Sequence, residues 1–281
     1  MNPIATFFSF KLKFFKSLLR QFFLKFFFGP NVKGLLCPTV FGNMLISPSD
    51  LHVSRQILKS GNYNPDEIFH LKKLVNTKDK LLVVGAHIGS FAIPASKLVR
   101  NVVAIEANPN NFDLLTKNIT LNNIHNMKAF NYAAGEKKGT IDFLMSVENS
   151  GGSKRVPFLK KNAYYYDNPR LIKVDAYALD QKLNEKFDIV MMDIEGSEYF
   201  AIQGMQRIIK NSRIFIFEFI PDHLENVARV SVKDFVSIIP LNNFKKAYFP
   251  RLNLKVDIEH LESALDKVAK LQTYEDGVIL Y

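Results

Sequence analysis

Two clusters in this chain carry residue types and spacings suited to chemistry. The first is Gly85-Ala86-His87-Ile88-Gly89 together with Glu106. The apolar run at residues 81–84 has the length and branching of a buried parallel strand. The glycine turn after it lets backbone approach a ligand closely. A second apolar run, residues 102–105, stops at Glu106. In a doubly wound sheet an acid at that strand tip accepts hydrogen bonds from two ribose hydroxyls. The second cluster is Asp193-Ile194-Glu195-Gly196-Ser197-Glu198, after the apolar run at 187–192. Acids crowded at one strand-to-helix corner raise one another's pKa, and they call for a cation, a donor or a proton. Glu198 also suits the first turn of a helix, where the dipole favours it.

The glycine pattern selects the ligand class. A dinucleotide fingerprint needs G-x-G-x-x-G so that a helix N-terminus can hold a pyrophosphate. Here only G-x-x-x-G is present, at Gly85 and Gly89. A nucleoside without phosphates fits better, S-adenosylmethionine being the common one, and a nicotinamide enzyme is disfavoured.

The surrounding pattern supplies the elements that position these clusters. Residues 90–98 carry apolar residues at helical spacing, made irregular by Pro94. After Glu106, Pro109 suits a first helical turn, and 111–122 reads as a helix. Strands are expected at 127–133, 140–145, 172–174, 187–192 and 213–220. Helices are expected at 175–183, 199–209 and 231–239, and a closing antiparallel hairpin at 244–249 with 277–281. The segment 29–80 reads as turns to residue 50, then a helical cover over 51–80. Asp50 would cap its first helix and Pro65 would begin its second. Residues 146–168 read as a long polar loop, of the kind that is usually functional or disordered. Strands alternating with helices make an α/β doubly wound, Rossmann-like, mostly parallel sheet.

Composition narrows the function further. The 281 residues suffice for one core plus additions. One cysteine, Cys37, excludes an internal disulfide, a Cys-rich zinc site and a two-cysteine base-methylation mechanism. The net charge of +10 points to an anionic partner surface, membrane or nucleic acid. Half of it sits in residues 1–28, which hold Lys11, Lys13, Lys16, Arg20 and Lys25 and no acid. The same segment holds Phe7, Phe8, Phe10, Phe14, Phe15, Phe22, Phe23, Phe26, Phe27 and Phe28. On a helical wheel most apolar residues share one broad face, while Lys11 and Lys25 must snorkel out of it. No apolar stretch approaches the ~20 residues of a spanning helix, and no signal-peptide pattern is present. A basic amphipathic helix on an anionic membrane is the expectation, making the protein cytoplasmic and peripheral.

The collinear pieces Gly85-Ala86-His87-Ile88-Gly89, Glu106-Ala107-Asn108-Pro109-Asn110, Asn118-Ile119-Thr120-Leu121-Asn122, Ala133-Ala134-Gly135, Asp193-Ile194-Glu195-Gly196-Ser197-Glu198 and Glu218 resemble the FkbM-type methyltransferases. The resemblance runs from about residue 81 to 218, and the D-x-E-G-x-E block is its most specific part. It implies an S-adenosylmethionine-dependent methyltransferase with a seven-stranded sheet, O-methylating a sugar hydroxyl in a polysaccharide or glycolipid intermediate. It further implies that Gly85, Ala86, His87 and Gly89 wrap the methionine part, that Glu106, Ala107 and Asn108 hold the ribose, and that the adenine lies near Asn131 and Ala133. Asp193 then faces the methyl-transfer site. Two positions depart from the family pattern: Val83 stands where Asp is usual, and His87 where Asn is usual.

Transfer to a hydroxyl requires a base of near-neutral pKa. Asp193 is the first candidate because its neighbours raise its pKa, and His87 and His223 are next because histidine titrates nearby. Glu195 with Asp193 offers oxygen ligands to a divalent ion such as magnesium or calcium, a reading held below the metal-free one. The rival classes are an RNA or DNA methyltransferase and a non-catalytic membrane-associated domain. Amine-methylating relatives place Asn or Asp, two prolines and an aromatic after the fourth strand, where a flipped base stacks. Here that corner is D-I-E-G, whose acids repel phosphate.

Overall fold

The computed structural model describes residues 31–281 throughout, and before them Leu12, Phe15, Lys16, Leu18, Leu19, Arg20, Phe22, Phe23, Phe26, Phe27 and Gly29. Of these early residues all but Gly29 are helical, and all but Gly29 are exposed. The other residues of segment 1–28, Lys11, Lys13, Lys25 and the remaining phenylalanines among them, lie outside the described residues.

The segment before the main sheet is not turns followed by helices alone. It opens with an antiparallel hairpin, β1 (Leu35–Thr39) and β2 (Gly42–Ile46), whose Cys37, Met44 and Ile46 face inward. Pro38 and Gly42 read as turn formers in the sequence, yet Pro38 sits within a strand of this two-stranded sheet, opposite Asn43. Helices Val53–Ser60 and Pro65–Leu74 follow, the second with proline in its first turn as expected. The first begins two residues later than a cap at Asp50 requires, with His52 at the N-cap position, and Asp50 Oδ1 still accepts from the backbone of His52 at 2.9 Å and of Ser54 at 3.1 Å.

Strands β3 (Lys80–Val84), β4 (Asn101–Ile105) and β5 (Met127–Phe130) pair in parallel. The chain then leaves the main sheet. The strand expected at 127–133 is divided, and β6 (Ala133–Ala134) joins β7 (Gly139–Met145), β8 (Lys154–Arg155) and β9 (Arg170–Tyr177) in a separate four-stranded sheet. Because β9 runs to Tyr177, the helix expected at 175–183 is only Leu179–Lys182. The main sheet resumes with β10 (Ile189–Met192), β11 (Ile214–Phe219), β12 (Lys246–Phe249), β13 (Leu254–Asp257) and β14 (Glu275–Leu280). Its order is β13-β12-β14-β11-β10-β3-β4-β5. From β11 to β5 all pairs are parallel, and β14, β12 and β13 are antiparallel to their neighbours.

The sheet thus has eight strands rather than seven. The extra strand, β13, forms the sequential hairpin with β12, and helix Leu261–Lys270 intervenes before β14 closes against β11. The helix expected at 199–209 is broken into Glu198–Gln203 and Gln206–Lys210. The break is at Gly204, where a Cβ would stand 2.1 Å from the Gly135 carbonyl oxygen.

Alternation along the parallel strands divides the core between two faces. Leu82, Val84, Val190, Met192, Phe215 and Phe217 pack with Ile202, Ile208 and Leu265 from the helices of one face. Leu81, Val83, Met191 and Ile216 pack with Ile57, Leu71, Ile93 and Leu115 on the other. Both faces are covered, which is why these strands read as continuous apolar runs. Among the described residues no helix is long and apolar enough to cross a membrane.

Candidate active site

The crevice opens at the carboxyl ends of β3, β4, β10 and β11, where a doubly wound sheet places ligands. Gly85 brings the two chemical clusters of the sequence together. It adopts φ 89°, and a Cβ there would lie 1.8 Å from the Asp193 carbonyl oxygen. Any side chain would push the glycine loop off the acidic corner. The next loop residue, His87, is also left-handed, at φ 51°, a conformation that costs energy for a residue other than glycine. Its N–H donates to Glu106 Oε2 at 2.7 Å, and the Asn108 N–H donates to Oε1 at 2.7 Å. Glu106 therefore clamps the glycine loop to the tip of β4. Burial pushes its carboxyl up to about 7, against these hydrogen bonds, which lower it. Each oxygen keeps lone-pair capacity for a further donor.

Beyond Glu106 the same cavity is walled by Ala133, Ile141, Phe143 and Tyr132. The buried Tyr132 hydroxyl has no hydrogen-bond partner among the described residues. A carboxylate able to accept from a diol, apolar walls for a flat ring and an unsatisfied hydroxyl fit a nucleoside such as that of S-adenosylmethionine.

Eight of the residues singled out from the sequence line this one cavity: Gly85, Ala86, His87, Glu106, Ala107, Ala133, Asp193 and Glu195. Three others shape it from behind. Gly89 donates its N–H to Ala86 O at 2.9 Å and so closes the turn. Asn108 caps helix Pro109–Leu121 by accepting from Asn110 N at 3.0 Å. Asn131, at the break between β5 and β6, donates its side-chain amide to Glu106 O at 2.8 Å. Val83, buried in the sheet, presents no carboxylate to the cavity.

The far end of the cavity is acidic. The Asp193 and Glu218 carboxyls both line this end, from the adjacent ends of β10 and β11. Desolvation first, and then neighbouring carboxylates, hold both well above the usual carboxylate range. Two buried acids raised in this way hold a proton more readily than free carboxylates do. Glu198 plays another part: its Oε1 accepts from Ile194 N at 2.9 Å, fixing the corner, and burial raises it to about 7. Glu195, left-handed at φ 58°, turns its carboxylate to Lys154, whose Nζ lies 3.0 Å from Oε2. Lys154 also lies 3.1 Å from His223 Nε2. Burial and that ammonium push His223 down to about 4, so the ring is neutral. Glu195, Glu218 and His223 each offer one ligand atom within 4.8 Å of the others. Lys154 already supplies a positive charge to two of the three.

His87 is directed elsewhere. Its Nε2 lies 2.7 Å from Ser150 Oγ, which bonds in turn to Asp50 Oδ2. Burial lowers the histidine's pKa, so it stays neutral. The ring thus belongs to a chain of contacts joining the glycine loop, the loop after β7 and the start of the cover.

Several site residues escaped the sequence reading. Asp50 reads only as a helix cap and Glu67 only as part of a helix start, yet Glu67 and Tyr63 line the cavity. Burial raises Glu67 to about 7 and lifts Tyr63 beyond the phenol range. Ser150 and Lys154 had one signal, the length and polarity of the loop that carries them.

Comparison with known proteins follows from this geometry. No curated protein matches the chain. Among solved structures it is similar to the methyltransferase FkbM from Methylobacillus flagellatus, at 15% identity and a TM-score of 0.43, over 74% of this chain and 44% of that one. It is similar to the tRNA methyltransferase of M. jannaschii, at 14% identity and a TM-score of 0.37, over 68% and 44%. It is also similar to an rRNA methylase from Streptococcus thermophilus, at 10% identity and a TM-score of 0.43, over 76% and 92%. The chain spans less than half the length of the first two. Residues 84–249, more than half of the chain, match the methyltransferase FkbM domain, and the chain belongs to the FkbM methyltransferase family.

Proposed function

We propose that this chain methylates a hydroxyl of a carbohydrate or glycolipid acceptor, with S-adenosylmethionine as donor. The observation that carries the reading is the buried Asp193–Glu218 carboxyl pair, which lines one end of a cavity whose other end presents Glu106. The donor, when bound, supplies an electrophilic methyl group on a positively charged sulfur. Glu106 accepts from the ribose hydroxyls, and Ala133, Ile141 and Phe143 hold the adenine between apolar walls. The chain's main contribution is alignment, worth up to ~7–11 kcal/mol in favourable cases. The carboxyl pair does the proton work: sharing one proton, it keeps one carboxylate free to take the acceptor's proton. Lys154 holds Glu195 in place, so a metal ion is not needed for charge balance. Tyr63 and Glu67 of the cover wall the acceptor side and exclude water.

The acids weigh against nucleic acid, because a phosphate brought to Asp193 would meet Glu195, Glu198 and Glu218. Half of the net basic charge lies in the N-terminal segment. Phe15, Leu18, Leu19, Phe22, Phe23, Phe26 and Phe27 are exposed on its described part, beside Lys16 and Arg20. Aromatic and basic residues together suit the interface of an anionic membrane, where a glycolipid acceptor resides. The reading is tested by transfer from methyl-labelled S-adenosylmethionine to a membrane glycolipid and polysaccharide extract, alongside total RNA. Label in the saccharide fraction supports it; label confined to RNA overturns it.

A further inference from the structure

A second cavity adjoins the first, and the two share Tyr63, Glu67, Phe91 and Asp276 as walls. The sheet order fixes which side it is on. Strands β4 and β5, with Glu106 at the tip of β4, lie to one side of β3, and β10, β11 and β14 lie to the other. The floor of the second cavity is Met191, Ile216 and Ile279, from β10, β11 and β14. It therefore extends from the methyl-transfer end away from the nucleoside end. Helix Pro65–Leu74 forms one wall, and Arg251 with the tip of β14 forms the other.

The far wall is pre-organised. Buried Glu275 accepts from the backbone of Arg251 at 2.9 Å and of Leu252 at 3.0 Å, which fixes the turn between β12 and β13. The Arg251 guanidinium lies 3.9 Å from the Tyr274 ring centroid and donates to Asp276 Oδ2 at 2.7 Å. Its other N–H groups have no hydrogen-bonded partner among the described residues. Opposite stand Asp66, exposed, and Glu67, which accepts from Asn64 at 2.7 Å. The lining thus offers aromatic rings, carboxylate acceptors and N–H donors above an apolar floor. Among the described residues its only Lys or Arg is Arg251, already matched by Asp276.

A phosphate-bearing chain would meet uncompensated carboxylates here. A neutral saccharide meets no such repulsion: its C–H faces suit the rings and the apolar floor, and its hydroxyls both donate and accept. The geometry points to a second acceptor subsite, which holds the further sugar units of a neutral oligosaccharide whose reacting unit sits beside Asp193. The acceptor is then a chain of more than one sugar. This inference rests on the carbohydrate reading above.

The test is binding to the full chain loaded with S-adenosylhomocysteine, by calorimetry and saturation-transfer NMR. The probes are the mono-, di- and trisaccharides of the glucose, mannose, galactose and N-acetylglucosamine series. In at least one series affinity rises about tenfold or more from mono- to trisaccharide. Tyr274→Ala and, separately, Asp66→Asn remove that rise, while affinity for S-adenosylhomocysteine stays at its original value. Length-independent binding, or a rise that survives both substitutions, overturns the subsite and leaves the carbohydrate reading standing. Failure of every saccharide to bind the loaded protein overturns that reading and the subsite with it.

Discussion

Asp193 and Glu218 come from different strands, and their contact sets the pH at which the site works. Both carboxyls are held above their ordinary range, first by desolvation and then by neighbouring carboxylates, Glu195 and Glu198 for Asp193, and Asp193 and Glu195 for Glu218. The pair gains its free carboxylate as the first of its two protons leaves, so turnover climbs as pH rises through that raised value, above the ordinary carboxylate range. Asp193→Asn and Glu218→Gln each lower kcat by about 10²–10⁴-fold, the usual worth of a general base, with S-adenosylhomocysteine affinity retained. A pH–rate profile of the three proteins checks this; unchanged turnover in both variants would remove the pair from the mechanism. Asp193 and Glu106 were legible in the sequence because each ends an apolar run, which puts it at a strand tip. Glu218 was legible only as a late strand acid, and its contact with Asp193 needs the adjacency of β10 and β11. Lys154 was not legible: one lysine among many reveals its burial only when the loop folds back.

At the scale of elements, the long loop after β7 acts as a strap. It delivers Ser150 to both His87 and Asp50, and Lys154 to Glu195. Asp50 is the hub, accepting from the backbones of His52, Ser54 and Ser150 and from the Ser150 hydroxyl. Removing a buried charged acceptor strands those donors. Asp50→Ala is expected to cost about 3 kcal/mol or more, and to weaken nucleoside binding by freeing the His87 loop. Denaturant unfolding with and without S-adenosylhomocysteine measures both effects. A loss below ~1 kcal/mol would show that the strap is not tied through Asp50. The sequence showed the strap's length but not its anchor points, because a polar loop carries no periodicity. The hairpin β1–β2 and strand β13 were missed for a related reason. Each is short and half-exposed, and pairing rather than alternation defines it. Helix Pro109–Leu121 had periodicity enough to be read directly, and the doubly covered strands showed as continuous apolar runs, whereas helix Leu261–Lys270 was missed.

For the whole molecule, charge is divided by place. The acids gather at the crevice and much of the basic excess gathers in the first 28 residues. Arg20 ties the two regions: its guanidinium reaches buried Glu148, at the start of the strap, at 3.4 Å. Lys16, Arg20 and the exposed phenylalanines should bind vesicles rich in anionic lipid, with affinity falling as salt rises. Deleting residues 1–28 should abolish that binding, as sedimentation with anionic and neutral vesicles will show; undiminished binding would locate the membrane surface elsewhere. The order of strands and helices, hence the doubly wound class, was readable in advance. The eighth strand and the second cavity were not, since both depend on how the antiparallel edge folds back onto the sheet. The central claim is that the crevice between Glu106 and Asp193 is a nucleoside site. Calorimetric titration of S-adenosylmethionine and S-adenosylhomocysteine into the intact chain and into Glu106→Ala tests it most directly. The account predicts saturable binding to the intact chain, weakened at least about tenfold by the substitution. No binding to the intact chain, or equal binding to both proteins, would contradict it.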